Sequence, residues 1–388
     1  MSGIVPILSR LVSFDTTSRN SNLPLIDWVE DYLRPLGFRL ERLPDATGTK
    51  ANLWASIGPE DRPGLILSGH TDVVPVDGQA WSADPFTLRE KDGRLYGRGA
   101  CDMKGFLAVC LAAAPRMAEA PLRKPLHLAF SYDEEVGCIG VRSLVEKLAR
   151  ASVRPEACFV GEPTSMGVVT GHKGKRSVRA TVRGLACHSS LAPQGVNAVE
   201  AGAKLAAEIS RIAERLMRKG GRDPLYDVPH STGHVGVLRG GTALNIVPDA
   251  CELLFEFRVV GGESADALVA EVEAFARREI EPGMKAVDPS CGIAFEVYAG
   301  FPGLDKPADA PVVTLAKALA GRNRHTKVAY GTEAGLFDAV AGVPTVIVGP
   351  GSIEQAHKAD EWIAVEQLEL CAAFVERLIG HAAEGQGP

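Results

Sequence analysis

Three short apolar segments constrain the fold of this chain more than any other feature. They are GLILSG (64–69), LHLAFSY (126–132) and ACFVG (157–161), and each has the length and composition of a strand buried on both faces. The segment GFLAVCLAAA (105–114) is apolar on all sides, which predicts a buried helix. Strands that alternate with helices indicate an α/β domain built on a largely parallel sheet.

The middle of the chain follows a different pattern. Strands with alternating apolar and polar residues surround two amphipathic helices, at about 196–217 and 264–280. These strands are SVRATVRG (177–184), GHVGVLRG (233–240), CELLFEFRVV (251–260) and GIAFEVYAG (292–300). The order β-α-β-β-α-β is that of a ferredoxin-like unit. Because the first pattern returns afterwards, we predict that residues 177–300 are inserted into a larger domain of residues 1–176 and 301–388.

Composition narrows the classes of protein to consider. A length of 388 residues favours two domains, and 46% hydrophobic with 23% charged residues is typical of soluble globular proteins. The net charge of −6, without a Lys/Arg stripe, argues against nucleic-acid binding. No apolar run reaches membrane-spanning length, and the segment MSGIVPILSRLVSF resembles a helix rather than a signal peptide. The eight scattered cysteines favour reduced thiols, so we expect a cytoplasmic protein.

Histidines and carboxylates follow the predicted strands of the larger domain. They are His70 and Asp72, then Asp133, Glu134 and Glu135, then Glu162, and finally His357, with Asp102 just before the buried helix. Ligands of open α/β sheets gather outside the carboxyl ends of the strands. Each residue alone has an ordinary explanation, such as a core histidine at position 70 or a helix N-cap at position 102. Their shared placement favours a cluster.

Such a cluster needs a cation, because carboxylates at close range repel one another unless they are protonated. Imidazole and carboxylate ligands without a thiolate suit zinc, manganese or cobalt. Two imidazoles and three carboxylates suffice for two cations if one carboxylate bridges. Two-metal sites of this type hydrolyse amides and phosphoesters.

The motifs around these residues resemble those of a known family. They are SGHTDVVP (68–75), GRGACDMKG (97–105), SYDEEVG (131–137), GEPT (161–164) and QAHKADE (355–361). In this order they are similar to the motifs of the co-catalytic zinc amidohydrolases and peptidases, and the resemblance covers nearly the whole chain. It implies an α/β catalytic domain with a mostly parallel central sheet, residues 1–176 and 301–388. It also implies that the ferredoxin-like insert, residues 177–300, is a dimerisation domain.

The resemblance implies a role for each clustered residue. The ligands of two zinc ions, for which cobalt can substitute, would be His70 and Glu162 at one ion, Glu135 and His357 at the other, and Asp102 as the bridge. Glu134 would be the general base for the attacking water. Asp72 would orient the imidazole of His70. The peptide bond between Asp102 and Met103 would be cis.

The inserted domain carries further residues that the resemblance places at a substrate. His188, in GLACHSS, would reach the active site of the partner subunit in a homodimer and polarise the scissile carbonyl. Asn245, in GGTALNIVP, would contact the substrate, and Arg258 would hold its carboxylate. A surface arginine on a strand is the alternative for Arg258. Cys187 stands where the family usually has alanine.

The segment 330–361 is most similar, within the family, to the acetylornithine deacetylases. Its GTEAG stretch suggests that Gly331, Thr332 and Glu333 contact the substrate. The Glu333 carboxylate would favour a free ammonium group, or alternatively cap a helix that begins near Ala334. We therefore expect removal of the acetyl group from N2-acetylornithine, giving ornithine and acetate in arginine biosynthesis. A deacylase of another N-acyl amino acid, such as a succinyl-diaminopimelate desuccinylase, a dipeptidase and a silent binding protein are the alternatives.

Overall fold

The structure is a computed structural model that describes residues 3–384. The chain forms two compact units. The first contains the described residues up to Gly171, the segment Leu304–Lys327 and the described residues from Thr332 onward. The second contains His172–Gly303 and Val328–Gly331, so it interrupts the first unit in the sequence.

The first unit is built on one large sheet with helices around it, and it also contains a small sheet of three short strands. Its strands are β1 (Arg39–Pro44), β2 (Ala51–Ile57), β3 (Leu65–His70), β4 (Arg89–Lys91), β5 (Arg94–Tyr96), β6 (Leu126–Ser131), β7 (Ala157–Val160), β8 (Val168–His172), β13 (Leu304–Asp305), β14 (His325–Val328), β15 (Thr345–Ile347) and β16 (Trp362–Ala364). Its helices are α1 (Ile4–Val12), α2 (Leu23–Leu33), α3 (Lys104–Glu119), α4 (Val141–Ala149), α8 (Pro311–Ala320), α9 (Ala334–Ala339) and α10 (Val365–Glu384).

The strand order of the large sheet is β1-β2-β6-β3-β7-β15-β8-β13, with β14 beside β8, and the small sheet consists of β4, β5 and β16. Strand β3 runs parallel to β6 and β7, and β7 runs parallel to β15. Strands β1, β2 and β8 join antiparallel at the flanks. The predicted α/β class with a mostly parallel central sheet is confirmed. Because the four central strands are parallel, their carboxyl ends meet at one edge of the sheet.

Burial explains why these segments are so apolar. Every residue of β3 is buried, because the sheet covers its edges and helices cover its faces. Helix α3 is the predicted buried helix, and its Phe106, Leu107 and Leu111 have no exposed surface. It packs against α1 and α10 in the core of the first unit. Burying each such side chain contributes about 1.5–3 kcal/mol, so this core holds the strand ends in fixed positions.

The second unit has its own sheet and core. Its strands are β9 (Gly174–Arg183), β10 (Thr232–Gly240), β11 (Ala250–Val259) and β12 (Gly292–Phe301), and its helices are α5 (Ala198–Lys219), α6 (Ala265–Phe275) and α7 (Glu281–Val287), with a π-helical turn (Ala276–Ile280) between the last two. The sheet order is β10-β11-β9-β12, with every neighbouring pair antiparallel. The elements follow one another in the predicted β-α-β-β-α-β order.

The ends of the second unit differ from the range 177–300. The unit begins at His172 and continues to Gly303. The reason is pairing: β9 starts at Gly174, which pairs with Val259, and Phe301 pairs with Lys175. The sheet therefore extends past the alternating segments that the sequence displays.

Two further observations concern the whole described chain. Among residues 3–384, no helix combines the length and the apolar character that crossing a membrane requires. All eight cysteines are free thiols, and Cys187 alone among them is not buried.

Candidate metal centre and active site

The parallel strands of the first unit deliver the clustered residues to one edge of the sheet. His70 is the last residue of β3, Glu134 and Glu135 lie shortly after β6, and Glu162 lies two positions after the end of β7. His357 lies in the loop that follows β15. The carboxyl ends of neighbouring parallel strands are the usual site for ligands in such sheets. The structure therefore brings together the residues that the sequence placed at strand ends.

Asp102 reaches the same edge from the turn that precedes α3. The peptide bond between Asp102 and Met103 is cis, as the resemblance implied. Gly99 begins this turn with φ of 78°, in the left-handed region that glycine tolerates. A Cβ atom at Gly99 would also lie 2.6 Å from Cγ1 of Val73. Glycine is thus required where the chain turns toward the cluster.

The ligand atoms form two groups that share Asp102. In the first group, His70 Nε2 lies 3.1 Å from Asp102 Oδ1 and 3.9 Å from Glu162 Oε1. In the second group, His357 Nε2 lies 3.3 Å from Asp102 Oδ2 and 3.1 Å from Glu135 Oε2. Within each group the ligand atoms lie within 4.8 Å of one another. Each group therefore uses a different oxygen of the same carboxylate.

The state of these side chains fits a bound cation. Glu162 Oε1 is buried and has no hydrogen-bond partner in the described part of the chain. Burial raises the pKa of Glu162 well above its ordinary value, and the nearby Asp102 carboxylate adds to the effect. Hydrogen bonds to Asp102 and Glu135 raise the pKa of His357 to about 10. Without a cation, protons must balance the cluster, and a divalent cation would replace them.

Asp72 has a wider role than the sequence suggested. The closest acceptor for His70 Nδ1 is the backbone oxygen of Asp72, at 2.8 Å, whereas the carboxylate lies 3.5 Å away. The carboxylate instead accepts hydrogen bonds from the backbone N–H groups of Glu134 and Glu135, at 3.1 and 3.3 Å. Ser18 Oγ donates a third bond at 2.7 Å. Asp72 therefore fixes both the tautomer of His70 and the loop that carries the two glutamates.

Glu134 lies next to the cluster but belongs to neither ligand group. Burial raises the pKa of Glu134 to about 8, and the neighbouring carboxylates of Glu135 and Asp72 contribute. The Cys138 thiol donates a hydrogen bond to Glu134 Oε1, with 3.3 Å between the sulfur and the oxygen. A carboxylate that lies beside a group of metal ligands and has a raised affinity for protons has the properties of a general base.

Glu333 does not face an open substrate site. Its side chain has no exposed surface, and its two oxygens accept hydrogen bonds from Ser68 and Ser131, at 2.6 and 2.7 Å. The prediction that this carboxylate binds a substrate ammonium disagrees with that geometry, because strand hydroxyls already occupy both oxygens. Helix α9 does begin at Ala334, but the Glu333 side chain does not cap it. The cap comes from Thr332, which is also buried and whose Oγ1 accepts the N–H of Ala334.

Arg98 and Glu361 lie inside the motifs GRGACDMKG and QAHKADE, but no role was predicted for either residue. They form an ion pair of 2.6 Å with almost no exposed surface. Glu361 Oε1 also accepts the backbone N–H groups of Cys101 and Asp102, at 2.9 and 3.0 Å. Their positions beside Asp102 and His357 in the sequence were the available indication.

The predicted residues of the second unit lie at two ends of its sheet. His188 and Asn245 are both exposed and adjacent, since His188 forms a β-bridge with Ile246 and Ser189 N donates to the Asn245 carbonyl at 3.0 Å. Arg258 lies near the far end of β11 and donates to Glu256 at 2.8 Å. Eight strand residues of about 3.4 Å each separate Ala250 from Arg258, roughly 27 Å.

Gly331, the remaining predicted residue, belongs to the second unit. A Cβ atom at this position would lie 1.9 Å from the ring of Phe301. A close approach of the backbone to this ring therefore explains the glycine without any substrate.

The fold and the cluster define a class of protein. The first unit is an α/β domain, and its parallel strands end at two groups of ligands that share one carboxylate. This is the arrangement of a metal-binding hydrolase.

Comparison with known proteins identifies the family within this class. The pattern of Peptidase family M20/M25/M40 matches residues 66–381, and the chain belongs to this family. The acetylornithine deacetylase of Myxococcus xanthus is 36% identical over 385 residues, which are 98% of this chain and 97% of the relative. The acetylornithine deacetylase of Proteus mirabilis is 35% identical over 369 residues, 94% of this chain and 91% of the relative.

Solved structures agree with the fold. Aminopeptidase PepT from Bacillus cereus superposes with a TM-score of 0.75 at 23% identity, covering 99% of both chains. The metallo-carboxypeptidase Sso-CP2 from Sulfolobus solfataricus also reaches 0.75, at 18% identity, covering 99% of this chain and 100% of the other. The YXEP protein of Bacillus subtilis, described as a dinuclear metal binding peptidase, reaches 0.68 at 16% identity, covering 99% of both chains.

Proposed function

We propose that this chain hydrolyses N-acyl amino acids, with N2-acetylornithine as the preferred substrate and ornithine and acetate as products. The observation that carries this proposal is the similarity to proteins named acetylornithine deacetylase, at 32–36% identity over 94–98% of the chain. That similarity spans both units, so it includes the second unit as well as the candidate metal centre. The reaction would serve arginine biosynthesis.

The proposed cofactor is a pair of zinc ions, for which cobalt can substitute. His70, Asp102 and Glu162 would hold one ion, and Asp102, Glu135 and His357 would hold the other. Nitrogen and oxygen ligands without thiolate suit zinc, cobalt and manganese. When bound, the ions would supply a nucleophilic water and would polarise the carbonyl of the scissile amide.

The residues of the chain would move the protons. Glu134 would take a proton from the water as it attacks the amide carbon, because its buried carboxylate interacts with His70 and Glu135 but belongs to neither ligand group. The carbon–nitrogen bond then breaks, and Glu134 returns the proton to the leaving amine nitrogen. The carboxylic acid and the amine leave. The Asp72 carboxylate keeps Glu134 in position by accepting a hydrogen bond from the backbone N–H of Glu134.

A homodimer would complete the site. His188 and Asn245 lie beyond the Ala250 end of β11 and Arg258 lies near the other end, and Ala250 and Arg258 are roughly 27 Å apart along the strand. One small amino-acid derivative does not reach both ends of one copy. If all three residues contact it, Arg258 must come from one copy and His188 and Asn245 from the other. The exposed Leu238 on the edge strand β10 and Leu244 in the turn after it provide apolar surface for such a contact.

We further propose that the protein acts in the cytoplasm. Eight free cysteines, seven of them buried, are compatible with a reducing compartment. The substrate proposed is a small polar metabolite, and no partner other than a second copy of the chain is needed.

A substrate panel tests the proposal. Purified, zinc-loaded protein is assayed with N2-acetylornithine, acetylmethionine, succinyl-diaminopimelate and a dipeptide, and kcat/KM is compared. The highest value is expected for N2-acetylornithine. A clear preference for the succinylated compound would assign a desuccinylase, and a preference for the dipeptide would assign a dipeptidase. Absence of hydrolysis with the metals bound would favour a binding protein.

A further inference from the structure

The buried ion pair of Arg98 and Glu361 connects loops that are far apart in the sequence. Neither guanidinium nor carboxylate is exposed, and the two meet at 2.6 Å. A buried charge pair is retained at a cost in desolvation, so its partners and hydrogen bonds indicate what it holds in place. Here each partner contacts a different segment beside the metal centre.

Glu361 holds the bridging ligand. One of its oxygens accepts the Arg98 guanidinium, and the other accepts the backbone N–H groups of Cys101 and Asp102, at 2.9 and 3.0 Å. These bonds fix the turn between Gly99 and Met103, which aims the two oxygens of Asp102 at the two ligand groups. The carboxylate itself is outside both groups.

Arg98 extends the network to the second group. Its Nη2 donates to Gln79 Oε1 at 2.5 Å, and its Nη1 lies 3.5 Å from the carbonyl of Lys358. Gln79 in turn donates to the backbone carbonyl of His357 at 3.1 Å. The planar guanidinium can serve several acceptors at fixed angles, which a lysine ammonium cannot do. Arg98 thereby links the loop after β3, the turn of Asp102 and the segment of His357.

The two ligand groups depend on this network unequally. The second group takes Asp102 and His357, two of its three ligands, from segments that the network holds. The first group takes only Asp102, because His70 and Glu162 are placed by strands β3 and β7. The second group is also the more open, since the His357 side chain is 48% exposed whereas that of His70 is 1% exposed.

We propose that Arg98, Glu361 and Gln79 are positioning residues that set the affinity of the second group, Asp102, Glu135 and His357, for its cation. This inference rests on the proposed two-metal function but concerns cation binding alone. Groups that orient metal ligands through hydrogen bonds typically change affinity by about 10–100-fold when removed. The cation at the first group should be held with an affinity close to that of the unchanged protein.

Calorimetric titration of chelator-stripped, full-length protein with Zn²⁺ tests the proposal. Glu162→Ala leaves only the second group intact, and Glu135→Ala leaves only the first. Adding Arg98→Lys should weaken zinc binding about 10–100-fold in the Glu162→Ala protein and much less in the Glu135→Ala protein. Glu361→Gln should give the same asymmetry. An equal effect in both backgrounds, or none in either, would overturn the proposal.

Two further variants separate positioning from folding. Lys306→Met breaks another ion pair of the first unit, with Asp338 at 2.7 Å, and should lower thermal stability without changing zinc affinity. If Arg98→Lys does not fold, Gln79→Ala, at a half-buried loop position, should give a smaller loss with the same asymmetry. An unchanged protein that binds two zinc ions but cleaves none of the panel substrates would refute the proposed function alone. One that binds fewer than two would refute both.

Discussion

The two units differ in how far they bury most of their predicted site residues. In the first unit, His70, Asp102 and Glu162 are buried, and their positions are set by strand ends and a tight turn. In the second unit, His188 and Asn245 are exposed, and the neighbouring Leu244 is completely so. The core of the first unit fixes its buried residues in place, whereas the exposed residues of the second unit are accessible to a binding partner. The proposed dimer rests on this difference: the first unit of one copy would build the site, and the exposed residues of another copy would complete it.

Removing the metals should have the largest effect. If the first unit builds the reactive centre, chelation should abolish hydrolysis, and zinc or cobalt should restore it. The physical reason is that protons can balance the charge of the cluster, but they cannot supply the nucleophilic water or polarise the carbonyl as the ions would. Metal content and activity are measured in parallel, with about two ions per chain expected at full activity. Full activity in a metal-free preparation would contradict the proposal that the first unit builds a metal-dependent reactive centre.

Replacing Glu134 and Glu135 one at a time should distinguish the general base from the metal ligand. Glu134→Gln should lower kcat about 10²–10⁴-fold while leaving the metal content unchanged. Glu135→Gln should reduce metal content, because this carboxylate contacts His357 in the second group. Metal analysis beside steady-state kinetics measures both effects. The opposite pattern would mean that the two adjacent residues have exchanged roles.

Mixing two inactive proteins should show whether the exposed residues act across subunits. Glu134→Gln lacks the base in the first unit, and His188→Ala lacks the exposed imidazole of the second. After subunit exchange, a two-fold dimer should recover about one quarter of the activity, since half of the dimers are mixed and each has one working site. Exchange is verified with differently tagged subunits. No recovery in verified mixed dimers would place His188 in the site of its own chain.

Glu333 should behave as a structural residue of the first unit. Glu333→Ala should lower the free energy of unfolding by about 1–3 kcal/mol, because the buried hydroxyls of Ser68 and Ser131 lose their acceptor. Glu333→Gln should change KM for acetylornithine and acetylmethionine by the same factor, since the carboxylate is not exposed to either. Denaturant unfolding and kinetics with both substrates measure this. A selective loss for acetylornithine would restore a contact with the substrate ammonium.

The smallest expected effect is a change in how stability depends on pH when His127 is replaced. Burial, with the charges of Arg39 and Lys147, lowers the pKa of His127 to about 3, below its ordinary value near 6.5. The unfolded chain therefore binds a proton that the folded chain refuses, so stability is lost as the pH falls from about 6.5 toward 3. His127→Gln should make that decline shallower. Denaturation of both proteins across this pH range measures how steeply the stability declines.

Much of the fold was accessible from the sequence for a physical reason. Strands buried on both faces must be continuously apolar, so segments such as 64–69 and 157–161 can be recognised as strands from the sequence. The helix between them is apolar all round for the same reason. The flanking strand β1 and the small strands β4, β5 and β16 were not predicted, because they are short or partly exposed and carry no strong period. Strand β2 was also not predicted, because the polar Asn52 and Ser56 interrupt its apolar residues although six of its seven positions are buried.

The candidate site divides along the same line. The sequence by itself determined which groups could bind a cation, since histidines and carboxylates follow buried strands and parallel strands end together. Only the tertiary structure decided that each Asp102 oxygen faces a different group and that the Asp72 carboxylate holds the glutamate loop. It also showed Glu333 closed off by two serines and Arg98 joined to Glu361. Hydrogen bonds between segments that lie from 32 to 265 residues apart decide these points, and such pairings leave no local pattern in the chain.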